Sequence, residues 1–319
     1  VAYINSFDTG TGEIVLKVIS NPAEANQRAA ALADDDVLEV IGHAAGEGSY
    51  SPEAIQSQPS VVYNSCAIQR TPIEITKTLA KTALKGTNLE KVRTAKEVER
   101  LRVMAMRRHK MRVQKRILME ARVGGIGANG ESFIGHITDK DGRTVRTTMG
   151  YIPALERYGI TSGDQQNVFT ASAAAYTFTQ LTEDLDKIAQ YTIGGVRRAY
   201  CGPAAMTYWS SLANASQQGW NIQLSAGEKD RYGNVVRYLD TGSLTLELIP
   251  LHILRGTPYA GYMLIPDMDN IEYRYFRNDS FHANIKNENG YDGIKDEYFS
   301  DMGLALTQMK RHALIKVTA

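Results

Sequence analysis

Cysteine is scarce in this 319-residue sequence. Cys66 and Cys201 are the only two, too few by themselves for a disulfide framework or a zinc site. Two reduced, structurally ordinary thiols in a cytosolic setting are expected. Long apolar runs are also missing: no stretch of 18 apolar residues occurs, so no transmembrane helix and no membrane partner are expected. The first ten residues, VAYINSFDTG, lack the positive and apolar regions of a signal peptide. They also lack an initiator Met, which points to a trimmed or processed start. Catalytic signatures are absent too. The histidines at 43, 109, 136, 252, 282 and 312 show no H-x-x-x-H or H-x-H spacing, and there is no G-x-S-x-G elbow, Walker loop, C-x-x-C or H-E-x-x-H. A Ser/His/Asp set could still meet in space, but the expectation is a non-enzyme without catalytic residues, metal or cofactor.

Glycine and proline are missing from one stretch in particular. Thr94–Arg122 reads TAKEVERLRVMAMRRHKMRVQKRILMEAR, and nearly every residue is a good helix former. Thr94 and Glu97 have capping-box spacing, and Val123-Gly124-Gly125 is a plausible stop. A helix of about 28 residues would be roughly 42 Å long. Aromatics are missing here too, so stacking on bases is not expected. From Arg93 to Arg122 there are eleven Lys/Arg against three Glu, a net of +8. The apolar residues Val98, Leu101, Met104, Ala105, Met111, Ile117, Leu118 and Ala121 form a stripe broken by Arg107, Arg108, His109 and Lys110.

A formal net charge of +1 conceals this segregation. Residues 1–60 carry nine acids and two bases, a net of −7, so acidic and basic excesses occupy separate segments. An acidic arm laid across a basic ridge, within one subunit or between neighbours, would use such an arrangement. The candidate contact residues are Arg107, Arg108, Lys110, Arg112, Lys115 and Arg116 on the ridge, and Asp34, Asp35 and Asp36 at the end of the arm. Both segments being merely solvated is the plainer alternative.

At 43% hydrophobic and 22% charged, the chain is globular and long enough for two modest cores. Residues 1–36 read as an arm. Residues 37–79 read as a two-stranded ribbon: Val37–Ile41 is β-prone, Gly42–Ser51 is turn-rich, and strands Val61–Ile68 and Ile73–Leu79 flank a break at Gln69–Pro72. Such a ribbon has almost no core of its own, and a partner subunit is the economical support. Gly125, Gly127 and Gly130 match G-x-G-x-x-G, but they follow a helix and precede the strand-like Phe133–Thr138, so an elbow is the better reading. Asp139-Lys140-Asp141-Gly142 resembles a calcium-loop fragment; with the remaining ligands missing, it reads as a hairpin turn between Phe133–Thr138 and Thr144–Thr148. Residues 149–179 look loop-like.

The next part is more regular. A helix is expected over Gln180–Tyr191, with Leu181, Leu185 and Ile188 at helical spacing, then strand Val196–Cys201, turn Gly202-Pro203 and helix Ala204–Ala213. Strands Val235–Leu239, Leu244–Pro250 and Gly261–Ile265 follow, giving an α+β domain. Ile271–Phe276, Phe281–Lys286 and Leu304–Val317 read as further strands, with a loop over Asn287–Met302. Leu304–Gln308 and Ala313–Val317 could form one hairpin turning at Lys310, Arg311 and His312.

This element order, together with the stretches VYNSCAIQRTPIEITKTLAKTALKG, RAYCGPAAMTYWSSLA and YMLIPDMDNIEYRYF, resembles the major capsid proteins of tailed bacteriophages, and within them the SU-ten-like major head proteins. The resemblance implies an α+β Hong Kong 97-type fold. Residues 1–36 would be the N-terminal arm and 37–85 the extended loop. Residues 86–164 and 269–319 would form the peripheral domain, with spine helix 94–122, and 165–268 the axial domain. It further implies homo-oligomerisation as hexamers and pentamers into an icosahedral head in the virion, assembled in the host cytoplasm. The shell would enclose double-stranded DNA without sequence specificity, with portal, scaffold or decoration proteins as further partners. Some relatives carry Lys–Asn crosslinks; no acidic catalyst accompanies Lys77 or Lys81, so none is expected here. An encapsulin-type compartment, or an enzyme or binding domain that forms no lattice, are the alternatives.

Overall fold

The structure is a computed structural model that describes residues 2–7, 14–18, 47, 61–78, 94–124, 137–172, 176–191, 195–215, 238–240, 244–283, 285 and 292–318. Its contacts divide the chain into two units, 1–59 and 60–319. In the first, β1 (Ala2–Phe7) and β2 (Ile14–Val18) pair antiparallel, with a register shift between Ile4 and Ser6. The β-prone Val37–Ile41 and residues Asp34, Asp35 and Asp36 lie outside the described residues.

The second unit runs β3 (Ala67–Thr76), α1 (Thr94–Met119), β4 (Ile137–Thr138), β5 (Thr144–Val145), α2 (Tyr151–Tyr158), β6 (Val168–Ser172), α3 (Phe178–Ala189), β7 (Val196–Cys201), α4 (Pro203–Ala215), β8 (Tyr238–Asp240), β9 (Thr245–Pro250), β10 (Tyr262–Ile265), β11 (Ile271–His282), β12 (Gly293–Leu306) and β13 (Ala313–Thr318). This is the α+β organisation expected from the sequence. Among the described residues, no helix is long and apolar enough to cross a membrane.

Six strands form a mixed sheet in the order β6-β13-β10-β7-β9-β8. Side chains alternate across a strand, and this sheet uses both faces. Phe169, Ala171, Ala199, Met263, Ile265, Ala313 and Ile315 face one core with Leu181, Leu185 and Ile188 of α3 and Ala205 and Trp209 of α4. Val168, Leu264 and Leu314 face a second core with Tyr151, Ile152 and Leu155 of α2. Helix α3 forms because its apolar residues recur on one face and its start is sealed. Thr177 Oγ1 accepts from Gln180 N at 3.3 Å, while Thr177 N donates to Gln180 Oε1 at 2.9 Å, a complete capping box. Helix α4 starts with Pro203, whose absent N–H would have no intrahelical acceptor anyway. Before it, Gly202 fits a tight approach: a Cβ there would lie 2.2 Å from Ala260 O.

A second large sheet has three strands, ordered β11-β12-β3. Its face is covered by α1, with Ile73, Ile75 and Ala105 buried between them and Val98, Leu101, Ile294 and Tyr298 packed against these. The last turn of α1 then carries Ile117, Leu118 and Met119 into the core of α2 and the six-stranded sheet. The long helix therefore connects both sheets.

Several expectations need correction. The ribbon of Val61–Ile68 and Ile73–Leu79 is instead one continuous strand from Ala67 to Thr76, paired with β12 along its length. Its inward residues are Ala67, Gln69, Thr71, Ile73 and Ile75, so polar side chains interrupt the apolar alternation. Pro72 is tolerated because β3 is an edge strand, where a ladder can do without that N–H. Ile271–His282 is likewise one strand, bulged on either side of Arg277. The loop expected over Asn287–Met302 is mostly β12. Strands β12 and β13 form no hairpin: β13 runs parallel to β6 and antiparallel to β10. The supposed loop over 149–179 contains α2 and β6. Helix α2 has Pro153 in its first turn, a permitted position, and buries Tyr151, Ile152, Ala154 and Leu155.

Candidate assembly surface

Helix α1 has two chemically distinct sides. Toward the sheet, Ala105, His109 and Val113 are buried at i, i+4 and i+8, on one helical face. His109, which interrupts the apolar stripe in the sequence, is therefore at the centre of the packed side. Its ring lies in a chain of polar contacts: Thr71 Oγ1 to Nδ1 at 3.0 Å, Nε2 to Ser300 Oγ at 2.6 Å, and Ser300 Oγ to Asp279 Oδ1 at 2.5 Å. Asp279 accepts from Ser300, so Ser300 accepts from His109 Nε2–H and Thr71 donates to Nδ1. A neutral imidazole satisfies the whole chain. The serine stands between His and Asp, and both His109 and Ser300 are buried. This order and burial serve to tie β3, α1, β12 and β11 together; in a nucleophilic triad the His would stand between Ser and Asp. Beside it, Arg102 Nε meets the buried Asp296 Oδ2 at 2.7 Å.

The opposite side is a cationic ridge. Arg107, Arg108, Lys110, Arg112 and Lys115 are all exposed, and among the described residues none has an ion-pair partner. Exposed Val103, Met104 and Met111 lie among them. Arg116 differs: it is half-buried, its Nη1 donates to Ile68 O at 2.8 Å, and its Nε lies 3.4 Å from Glu120 Oε2. It fastens the helix to its own subunit.

Two further clamps position this platform. Asn64 Nδ2 donates to Leu304 O at 2.7 Å and Met149 O at 3.0 Å, and its Oδ1 accepts from Met149 N at 2.8 Å. Gly150 N donates to Glu120 O at 2.7 Å, and a Cβ at Gly150 would lie 2.8 Å from the carbonyls of Arg116 and Ile117. The segment after the hairpin therefore docks directly on the carbonyl end of α1.

The C-terminal turn carries a second buried histidine. His312 Nδ1 accepts from Asp267 N at 3.1 Å and its Nε2–H donates to Thr307 O at 3.1 Å. Arg197 Nη1 donates to Arg311 O at 2.7 Å, and its Nη2 lies 3.7 Å from Asp267. Sequence reading missed both histidines, because Thr71 and Ser300 for His109, and Asp267 for His312, are 38 to 191 residues away.

Burial pushes the pKa of His109 down, opposed by Asp279 and aided by Arg112. Burial likewise depresses His312, opposed by its bond to Thr307 and by Asp267. Each folded pKa lies below the ordinary value of about 6.5. Below that pH the unfolded chain takes up protons that the folded chain resists, so stability falls as pH drops from about 7. Urea midpoints are expected to be lower at pH 5.5 than at 7.5, with the difference shrinking in a His109→Asn/His312→Asn variant. An unchanged difference would assign the effect to other groups.

The remaining chemistry is quiet. Burial raises the Cys66 thiol and pushes Cys201 up to about 12, so both stay protonated and poorly nucleophilic at neutral pH. Asp139 Oδ1 accepts from Asp141 N at 2.9 Å and Arg143 N at 2.8 Å, as a turn-forming aspartate does. Strands β4 and β5 flank it as the expected hairpin, with Gly142 at φ 76°. Among the described residues, no group of three or more His, Cys, Asp or Glu is placed to hold a metal ion. The Gly125–Gly130 elbow and the Thr94/Glu97 cap lie outside the described residues and side chains.

A helix beam with a packed side and an open cationic side is a building element, and the sequence comparison agrees. The profile of the SU10 major capsid protein family matches residues 10–319, nearly the whole chain. The chain belongs to the SU10 major capsid protein family. Its role is that of a capsid shell subunit, its place is the virion, and its fold is α+β as expected from the sequence. Among curated proteins none matches significantly. Solved structures similar to it include the satellite phage P4 procapsid with its size determination (Sid) protein, at 10% identity and TM-score 0.45, covering 89% of this chain and 87% of that one. The capsid of cyanophage P-SCSP1u is similar at 10% identity and TM-score 0.42, covering 85% and 80%. The holo-SrpI encapsulin complex from Synechococcus elongatus PCC 7942 is similar at 11% identity and TM-score 0.43, covering 79% and 73%.

Proposed function

We propose that the subunit assembles as hexamers and pentamers into a closed icosahedral head, in the host cytoplasm, around packaged double-stranded DNA. Family membership over residues 10–319 carries this reading. The domain assignment proposed with it makes 1–36 an arm and 165–268 the axial domain. The peripheral domain is then 86–164 with 269–319, plus β3, which lies in the sheet under the spine helix. That leaves the extended loop to the residues before Ala67, within the 37–85 span. Portal, scaffold or decoration proteins would be further partners, and catalysis is no part of this role.

The exposed ridge of Arg107, Arg108, Lys110, Arg112 and Lys115 is proposed to receive an acidic arm, with Asp34, Asp35 and Asp36 as its contacts. The charge segregation of the sequence supports this pairing over nucleic acid, because an acidic segment, net −7 over residues 1–60, beside the ridge would repel phosphate. The test is the content of purified particles. Nuclease-protected double-stranded DNA in particles from infected cells is the expected result. Particles filled with a protein cargo and free of DNA would replace the virion reading with a compartment.

A further inference from the structure

We propose that the outer edge of β11, unpaired among the described residues, pairs antiparallel with β11 of a second copy, across a two-fold axis centred on Tyr273. The proposal rests on the shell reading only for the presence of many copies. Among the described residues the strand order β11-β12-β3 leaves β11 at the edge, where unpaired N–H and C=O groups form a template for another strand. Protecting features begin only beyond its first turn of ladder: pairing with β12 is regular from Ile271 to Tyr275, and the bulges follow at Tyr275/Arg277 and Arg277/Ser280. The bulge-free segment is therefore the one able to accept a partner.

Its side chains identify that partner. Ile271, Tyr273 and Tyr275 stand opposite Leu306, Leu304 and Met302 of β12, so they share the face on which Leu304 and Met302 are buried. Tyr273 and Tyr275, with rings 5.8 Å apart, remain 38% and 55% exposed. The apolar face thus continues past the last strand into solvent. The other face carries Glu272 and Arg274, an exposed ion pair within the strand.

Read against itself in the opposite direction, Ile271-Glu272-Tyr273-Arg274-Tyr275 is self-complementary. Ile271 meets Tyr275 of the second copy, Glu272 meets Arg274, and Tyr273 meets itself, each pair occurring twice or lying on the axis. Moving the centre one residue either way sets Glu272 opposite Glu272 or Arg274 opposite Arg274, which is unfavourable directly across strands. Only the Tyr273 centre extends the apolar face and pairs all four charges. An isologous contact of this kind is what a two-fold between copies requires.

Directly opposed residues on antiparallel strands have Cα atoms about 4.5–5.5 Å apart, within disulfide reach. Particles of the Tyr273→Cys chain, oxidised and run on a non-reducing gel, are expected to give a disulfide-linked dimer as the main species, whereas Tyr275→Cys particles stay monomeric. Independently, Glu272→Arg and Arg274→Glu chains are each expected to assemble at least about tenfold less well, and an equal mixture to recover most of the yield, because each then faces its complement. The ion pair inside one strand cannot produce rescue by mixing. Absence of the Tyr273→Cys dimer in assembled particles would overturn the proposal and point to a different segment, or a different protein, on this edge. Failure of mixing to rescue two defective chains would overturn it as well.

Discussion

Asn167→Ala is expected to cost about 3 kcal/mol or more of stability, the largest single-residue effect outside the apolar cores. Asn167 is 1% exposed, and its side chain ties three backbone segments together. Its Nδ2 donates to Met309 O at 2.8 Å and His312 O at 2.9 Å, and its Oδ1 accepts from Ile160 N at 2.7 Å. Its own backbone carbonyl accepts from Leu314 N at 2.9 Å, so the side chain sits where β6, β13 and the 309–311 turn converge. Truncation leaves buried backbone groups without partners, at about 1–3 kcal/mol each. Asn167→Asp removes both donors and aims a carboxylate at two carbonyl oxygens, so it is expected to be no milder. Gln165→Ala, a few residues away and exposed, should stay within about 0.5 kcal/mol of the parent. Chemical denaturation of the three variants decides it; an Asn167→Ala midpoint equal to the parent's would remove this anchor from the account.

Reversing the ridge is expected to abolish most assembly while sparing the fold. Arg107, Arg108 and Arg112 changed together to Glu should lower particle yield at least about tenfold, with an unchanged circular dichroism spectrum. The three side chains are exposed and have no ion-pair partner among the described residues, so the subunit's own core does not depend on them, and surface changes of this kind are usually small. An oppositely charged surface on a neighbour, in contrast, would meet six units of altered charge. If the arm is that surface, Asp34, Asp35 and Asp36 changed to Lys should restore assembly in the same chain. Raised salt should weaken the parent's assembly, since exposed charges are screened beyond about 10 Å at 0.1 M. Normal particle yield from the triple variant would remove the ridge from the assembly contacts.

Local patterns in the sequence describe the six-stranded half well. Strand Val196–Cys201 has the bounds expected of it, and the two helices start and end within two residues of expectation, because apolar spacing, Pro203 and the glycines all act locally. The three-stranded half is harder for a physical reason: polar residues occupy its inward positions. Gln69 and Thr71 in β3, Asp296 and Ser300 in β12 and His109 in α1 are all buried, so strands look like broken strands or loops and the helix stripe looks interrupted. Gln69 bonds the neighbouring Arg70 O, but the others are satisfied by partners far away in sequence, as Thr71 and Ser300 satisfy His109, and no window on one segment contains that pairing. The partner of β13 is hidden similarly, since a parallel neighbour such as β6 leaves no turn signature. The candidate ridge was legible because charge and absence of Gly, Pro and aromatics are properties of one segment. The internal role of Arg116 was not, because its acceptor is the backbone of Ile68.

Electron microscopy of the purified chain tests the central claim most directly. A capsid subunit with these surfaces should yield closed particles hundreds of ångströms across, made of this 35.2 kDa chain in rings of six and five. A uniform population of 35.2 kDa monomers under every assembly condition, with no particles in infected cells, would contradict it.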